Sequence, residues 1–349
     1  MGINLYNEYS MYNIIILSFI IYFLRQYFRG CKANRKSMKN KLIIITGCSS
    51  GIGKATALQL LEDGATVIFA CRNKEKTMNI INKETKHLIN SKECKDKAYF
   101  IHLDLSSFKS VNDFVKEFKN KFYDKNIHLD ILINNAGLAT TIYKETEDGL
   151  EYMSQTNHFS HVLLTLKLLD YFNKNEGKII NVSSYAYNFS NYKKTLKSCF
   201  SKEAGHNQYK DLFGAKNSFV LYGNTKLANI YFTNFLTKMF EKSNKYNHLH
   251  SYSLHPGSVY TNFTNNMFSQ NILMKFIGNI IIIFAWYFLK NESDGAQTQL
   301  DLCCKDIRDL KDGGFYMDKR LTKLNNIAKD EDLENYLMDE TLKIINMKI

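Results

Sequence analysis

The segment Thr46-Gly47-Cys48-Ser49-Ser50-Gly51-Ile52-Gly53 joins the continuous apolar run Leu42–Thr46 to a helical pattern, Gly53–Asp63, that Gly64 stops. Glycines this dense at a strand exit let the backbone turn tightly and bring its N–H groups close to a bound anion. The N-terminus of the following helix adds favourable partial charge. A phosphate-bearing ligand is therefore expected at this turn. A strand apolar at every position is buried on both faces, which restricts the chain to a layered α/β architecture around a parallel sheet.

The remainder of the sequence repeats that rhythm. Short apolar runs predict strands at Thr66–Ala70, Ala98–His102, Asp130–Asn134, Lys178–Val182, His250–Leu254 and Gly314–Met317, with helices at Ser107–Tyr123, Glu147–Phe172 and Tyr222–Phe240. Seven strands fit a single Rossmann-type, doubly wound domain over residues 41–349, with no internal repeat. The polar, lysine-rich stretch Asn188–Asn217 breaks the rhythm and reads as a surface insertion. With 45% hydrophobic and 23% charged residues, the composition excludes a disordered chain and a multi-span membrane protein.

Residues 1–40 stand apart. Met11–Leu24 holds 14 residues without a charge, about 21 Å of helix, and extension to Phe28 gives about 27 Å against a hydrocarbon core of about 30 Å. Arg25, Arg29, Lys32, Arg35, Lys36, Lys39 and Lys41 follow, without an acid among them, and supply over half of the net charge of +12. Charge after the apolar run rather than before it predicts a retained anchor with the remainder in the cytosol; a cleaved signal or a buried helix are the alternatives. Anionic lipid headgroups, not nucleic acid, are the expected partner of this basic flank. A second apolar run, Phe276–Leu289, reads either as a buried core helix or as one dipping into the membrane surface. The seven scattered cysteines indicate a reducing compartment and no zinc site.

Further motifs follow in order. Asp104-Leu105 ends the third strand, Asn134-Asn135-Ala136-Gly137 the fourth and Ser183-Ser184 the fifth. Asn157 lies mid-helix, and His255-Pro256-Gly257-Ser258-Val259, with the chain's one proline, follows the sixth strand. Tyr222 and Lys226, spaced i, i+4 at a predicted helix start, share one face. A nearby ammonium is expected to lower a phenol from its ordinary value of about 10 toward one useful for proton transfer. His158 and His161 read as helix packing residues, since no third metal ligand is suitably spaced.

The set resembles the short-chain dehydrogenase/reductase family, and the spacing Gly-x-x-x-Gly-x-Gly is that family's. The resemblance implies a catalytic tetrad of Asn157, Ser184, Tyr222 and Lys226, with Ser183 the alternative serine. It further implies cofactor contacts from Thr46, Gly47, Ser49, Ser50, Gly51, Ile52, Gly53, Asp104, Leu105, Asn135, Ala136, Gly137, Tyr222, Lys226, Pro256, Gly257 and Val259. At the end of the second strand, where NAD-selective members place an acid, this chain has Arg72, which would pair with a 2′-phosphate and favour NADP(H).

Ala70-Cys71-Arg72-Asn73-Lys74, Tyr222-Gly223-Asn224-Thr225-Lys226 and Asp294-Gly295-Ala296-Gln297-Thr298 are similar to the microsomal retinol dehydrogenases. That similarity implies an endoplasmic-reticulum membrane enzyme facing the cytosol and interconverting a lipophilic alcohol and carbonyl, retinol and retinal above all. A keto-steroid or fatty carbonyl reductase, or a non-catalytic cofactor-binding scaffold, are the alternatives.

Overall fold

The computed structural model describes residues 2–190, 215–259 and 289–348. Among them, β1 (Leu42–Thr46), β2 (Thr66–Cys71), β3 (Ala98–His102), β4 (Ile131–Asn134), β5 (Gly177–Val182), β6 (Leu249–His255) and β7 (Phe315–Met317) run parallel in the order β3-β2-β1-β4-β5-β6-β7. An eighth strand, β8 (Arg320–Leu321), pairs antiparallel with β7. The sheet thus has eight strands where seven were expected. The cause is a two-residue hairpin at Asp318 and Lys319, both at positive φ (49° and 65°), a geometry that turns the chain back on itself.

Each central strand faces two cores. Leu42 and Ile44 of β1 pack with Phe114, Phe118, Phe159 and Tyr231, from the helices α5 (Phe108–Lys121), α6 (residues 152–168) and α7 (Ala215–Lys242). Ile43 and Ile45 pack with Leu60, Ile80 and Leu300, from α2 (Gly51–Glu62), α3 (Lys74–Lys83) and α8 (Glu292–Cys304). This is why the strand reads as an unbroken apolar run. Each fully buried isoleucine contributes about 1.5–3 kcal/mol. The short α4 (Ser91–Asp96) precedes β3, and α9 (Glu331–Ile344) closes the chain against α7.

The helix expected over Glu147–Phe172 starts later and changes pitch. Glu151 caps it through Met153 N and Ser154 N (2.8 and 2.7 Å), and Tyr152–Ser154, the π-helical Gln155–Phe159 and Ser160–Leu168 together form α6. Likewise α7 begins at Ala215, so Tyr222 lies inside a helix rather than at its start, and residues 215–217 belong to that helix rather than to the insertion. Residues 191–214 of that insertion, and 276–288 of the second apolar run, lie outside the described residues.

At the N-terminus, α1 (Gly2–Arg29) is followed by a basic strap lying on the domain. Arg29 Nε donates to Asp294 Oδ2 (2.6 Å), Ala33 N to Gln297 Oε1 (2.7 Å) and Arg35 Nε to Asp63 Oδ1 (2.8 Å). No described helix is long and apolar enough to cross a membrane, so the span expected of residues 11–28 is not found. Its uncharged core of about 21 Å is too short, and Arg25 and Gln26 interrupt any extension.

The chain moves outward from β1 to β2 and β3, then returns to β4 on the other side of β1. The crevice beyond the carboxyl ends of β1 and β4 is therefore the switch point at which ligands of such sheets bind.

Candidate active site

Two serines leave β5 with different tasks. Ser183 Oγ donates to the Lys226 carbonyl (2.7 Å). Ser184, extended at φ −155° and ψ 152°, caps the short helical turn Tyr185–Phe189, its Oγ accepting from Ala186 N (3.2 Å), and hydrogen-bonds the Tyr222 phenol. Ser184 is thus the serine brought to Tyr222, and Ser183 is taken up by the helix.

One turn along α7, the buried Lys226 donates from Nζ to the Val182 carbonyl (3.0 Å), with Nζ 5.5 Å from the centre of the Tyr222 ring. Burial lowers this ammonium to about 8. Burial also pushes the Tyr222 phenol above its ordinary value, and the Ser184 hydrogen bond opposes that rise. The lowering expected from the lysine is not found: burial dominates, opposed only by the Ser184 hydrogen bond, and the phenol stays protonated at neutral pH.

Asn157 lies in the π segment of α6, fully buried. Its carboxamide accepts from Leu138 N (2.8 Å) and donates to Leu138 O (2.8 Å) and Thr225 Oγ1 (3.1 Å), clamping the loop after β4 to α7. A Cβ on Gly137 would lie 3.1 Å from Lys226 Nζ and 3.6 Å from Asn157 Oδ1, so a side chain there would crowd both. Asn157, Ser184, Tyr222 and Lys226 form one connected cluster.

The glycine turn is braced from beneath. Gly47 sits at φ +66° against Ala136, and the Thr46 hydroxyl accepts from Asn135 N (3.0 Å) and Ala136 N (2.9 Å). Asn135 Nδ2 donates to Thr46 O (2.8 Å) and fills the space a Cβ on Gly53 would need. Gln299 of α8, unforeseen from sequence, donates to Asn135 Oδ1 (3.0 Å) and accepts from Thr56 Oγ1 (2.9 Å). Its only advance signal was the run Asp294-Gly-Ala-Gln-Thr in which it nearly falls.

Ser49, Gly51 and Ile52 line the same turn, and Ser50 precedes α2 without a side-chain capping bond. The first N–H groups of that helix therefore lack a side-chain cap, the condition that suits a phosphate. Further out, the Arg72 guanidinium donates to the Tyr152 hydroxyl (3.2 Å) and lies 3.9 Å from Asp104 Oδ2. Asp104 Oδ1 accepts from Ser106 N (2.9 Å) and Oγ (2.7 Å). Leu105 is buried in the core. Tyr152 was not anticipated. Pro256 and Gly257 (φ +92°) follow β6 with Lys290 packed against the glycine, and Val259 meets Ile52 at Gly295. These residues fit a dinucleotide laid along the crevice.

The description "short chain dehydrogenase" matches residues 41–212. Human retinol dehydrogenase 14 is 31% identical over 313 residues, covering 86% of this chain and 85% of its own. The chain belongs to the short chain dehydrogenase family. It is an oxidoreductase of that family and is similar to its retinol dehydrogenase branch. Human retinol dehydrogenase 11 is 28% identical over 96% of this chain and 97% of its own, and the chloroplastic short-chain dehydrogenase TIC 32 A of Brassica napus 32% over 88% and 89%. Among solved structures, an uncharacterized protein from Mycobacterium Paratuberculosis shares this chain's fold at TM-score 0.67 and 23% identity, covering 91% of this chain and 98% of its own.

Proposed function

We propose that this chain interconverts a lipophilic alcohol and its carbonyl, retinol and retinal or a close counterpart, using NADP(H). The observation that carries the reading is the Ser184–Tyr222 hydrogen bond beside the buried Lys226. Bound in the crevice between β1 and β4, the reduced nicotinamide would supply a hydride to the carbonyl carbon.

The phosphates would rest on the turn Gly47–Gly53, with Arg72 taking the 2′-phosphate, Asp104 and the backbone of the core-buried Leu105 flanking the adenine, and Asn135, Ala136, Gly137, Pro256, Gly257 and Val259 lining the nicotinamide end. Ser184 Oγ holds the substrate oxygen, and the protonated Tyr222 phenol gives its proton to that oxygen. The Lys226 ammonium compensates the phenolate left behind, an arrangement set before charge develops. Asn157 supports return of the proton from solvent.

The substrate class is supported by the retinol dehydrogenase relatives. It is supported also by α1, on which Tyr12, Ile15, Ile16, Leu17, Phe19, Ile20, Tyr22, Phe23 and Leu24 are 43–64% exposed. Such a helix suits the surface of a membrane rather than its interior, its basic flank at the headgroups and the domain on the cytosolic side of the endoplasmic reticulum. NADPH oxidation by the purified full chain, offered retinal, a keto-steroid and a long-chain aldehyde in detergent, tests the reading. Retinal is expected to be reduced fastest; no oxidation with any carbonyl overturns the function, and a faster steroid overturns the substrate.

A further inference from the structure

His161 is buried in α6, four residues after Asn157, and the chemistry above leaves it unused. Its Nδ1 lies 3.2 Å from the Asn157 carbonyl and its Nε2 2.9 Å from Thr46 Oγ1. The Thr46 hydroxyl fixes the tautomer. It already accepts from Asn135 N and Ala136 N (3.0 and 2.9 Å), which uses both lone pairs and leaves one proton to give. Two acceptors compete for it, the Ile133 carbonyl at 3.4 Å and His161 Nε2 at 2.9 Å. The nearer takes it, so Nε2 is bare and the ring proton sits on Nδ1, aimed at the Asn157 carbonyl. Burial, with the Lys226 cation nearby, pushes the imidazole down to about 3, so this neutral form holds throughout the working range.

We propose that His161 is a positioning residue that joins the two halves of the site, holding the Asn157 carbonyl through Nδ1–H and the Thr46 hydroxyl through Nε2. The first arm bears on proton return and hence on kcat. The second sets the turn Asn135–Ala136 that braces the glycine loop, and hence cofactor affinity. Asn157 lies in a π turn, where the backbone ladder is shifted by one residue, and such turns are common at functional sites. The inference deepens the hydride-transfer reading and rests on it.

Two substitutions separate the arms. The amide nitrogen of His161→Asn occupies the place of Nδ1 and keeps the Asn157 contact; His161→Gln reaches only as far as Nε2 and keeps the Thr46 contact. His161→Asn should weaken NADPH binding about tenfold with kcat retained, and His161→Gln should lower kcat about tenfold with NADPH binding retained, the loss of one hydrogen bond in each case. Equal losses in both variants, or a change in thermal midpoint alone, overturn the proposal. Nitrogen-15 spectra of the wild-type histidines, with His161 assigned by its absence from the His161→Asn spectrum, give a test independent of variant folding. A proton on Nδ1 is expected, and a proton on Nε2 overturns it. Should Nδ1 carry the proton in a chain that neither binds NADPH nor reduces any carbonyl, the pairing stands and the hydride-transfer reading falls.

Discussion

Lys226 and Arg72 are both cations aimed at the same crevice, and their surroundings are opposite. Lys226 is 2% exposed and bound to the Val182 carbonyl, its ammonium lowered to about 8 by burial. The Arg72 side chain is 61% exposed at the rim, steered by Tyr152 and Asp104. Burial makes a charge sensitive to pH and rigid in place; exposure leaves it charged at every pH but screened by salt. On the proposed reading, the buried end of the crevice controls a proton and the exposed end attracts an anion.

The largest effect that could break this contrast is at the buried end. Tyr222→Phe should lower kcat by about 10²–10⁴-fold while NADPH affinity, read by fluorescence titration, stays within about twofold. A comparable kcat loss in Arg72→Ala would erase the distinction. Next comes pH: as Lys226 loses its proton above about 8, its compensation of the phenolate is lost, so reduction should slow across that range. Lys226→Arg should move the inflection upward, whereas Arg72→Ala should leave it in place. The same lowered value means the unfolded chain binds more protons between about 8 and the ordinary lysine range, so resistance to urea should rise with pH across that window.

A smaller change is expected at the rim. Arg72→Ala should weaken NADPH binding about tenfold at low ionic strength, less in high salt, with NADH little altered. An identical loss for both nucleotides would show that Arg72 does not meet a 2′-phosphate. Smallest of all, Arg29→Ala removes a part-buried ion pair with Asp294 worth about 1 kcal/mol or less, and should shift the thermal midpoint by about 2 °C or less in differential scanning calorimetry.

The central strands were legible because a doubly covered sheet demands continuous apolar runs, as in Leu42–Thr46, which matches residue for residue; the edge strand Ala98–His102 also matches, although only Ile101 in it is buried. Of the elements not expected, α8 buries ten of its thirteen residues, but Gln297, Thr298, Gln299 and Asp301 among them break its apolar pattern; α3 and β8 bury little. α3 hides only Thr77, Ile80 and Ile81 beneath a lysine-rich surface, and β8 is two exposed residues turned by a hairpin that lacks glycine. The π segment of α6 is a change of hydrogen-bond pitch, which residue types do not encode. In the site, spacing paired Tyr222 with Lys226, but did not reveal that burial governs both groups, which depends on what α7 packs against. Choosing Ser184 over Ser183 required the direction each side chain takes on leaving β5. Tyr152 and Gln299 act through contacts 80 and 164 residues away in sequence, to Arg72 and Asn135.

Helix α8 meets the end of α1 with Asp294, the strap with Gln297, and the bracing beneath the glycine turn with Gln299. Thirteen residues long, it is a stiff spar of about 20 Å. The end of α1 and the floor of the glycine turn are thereby riveted to a single beam.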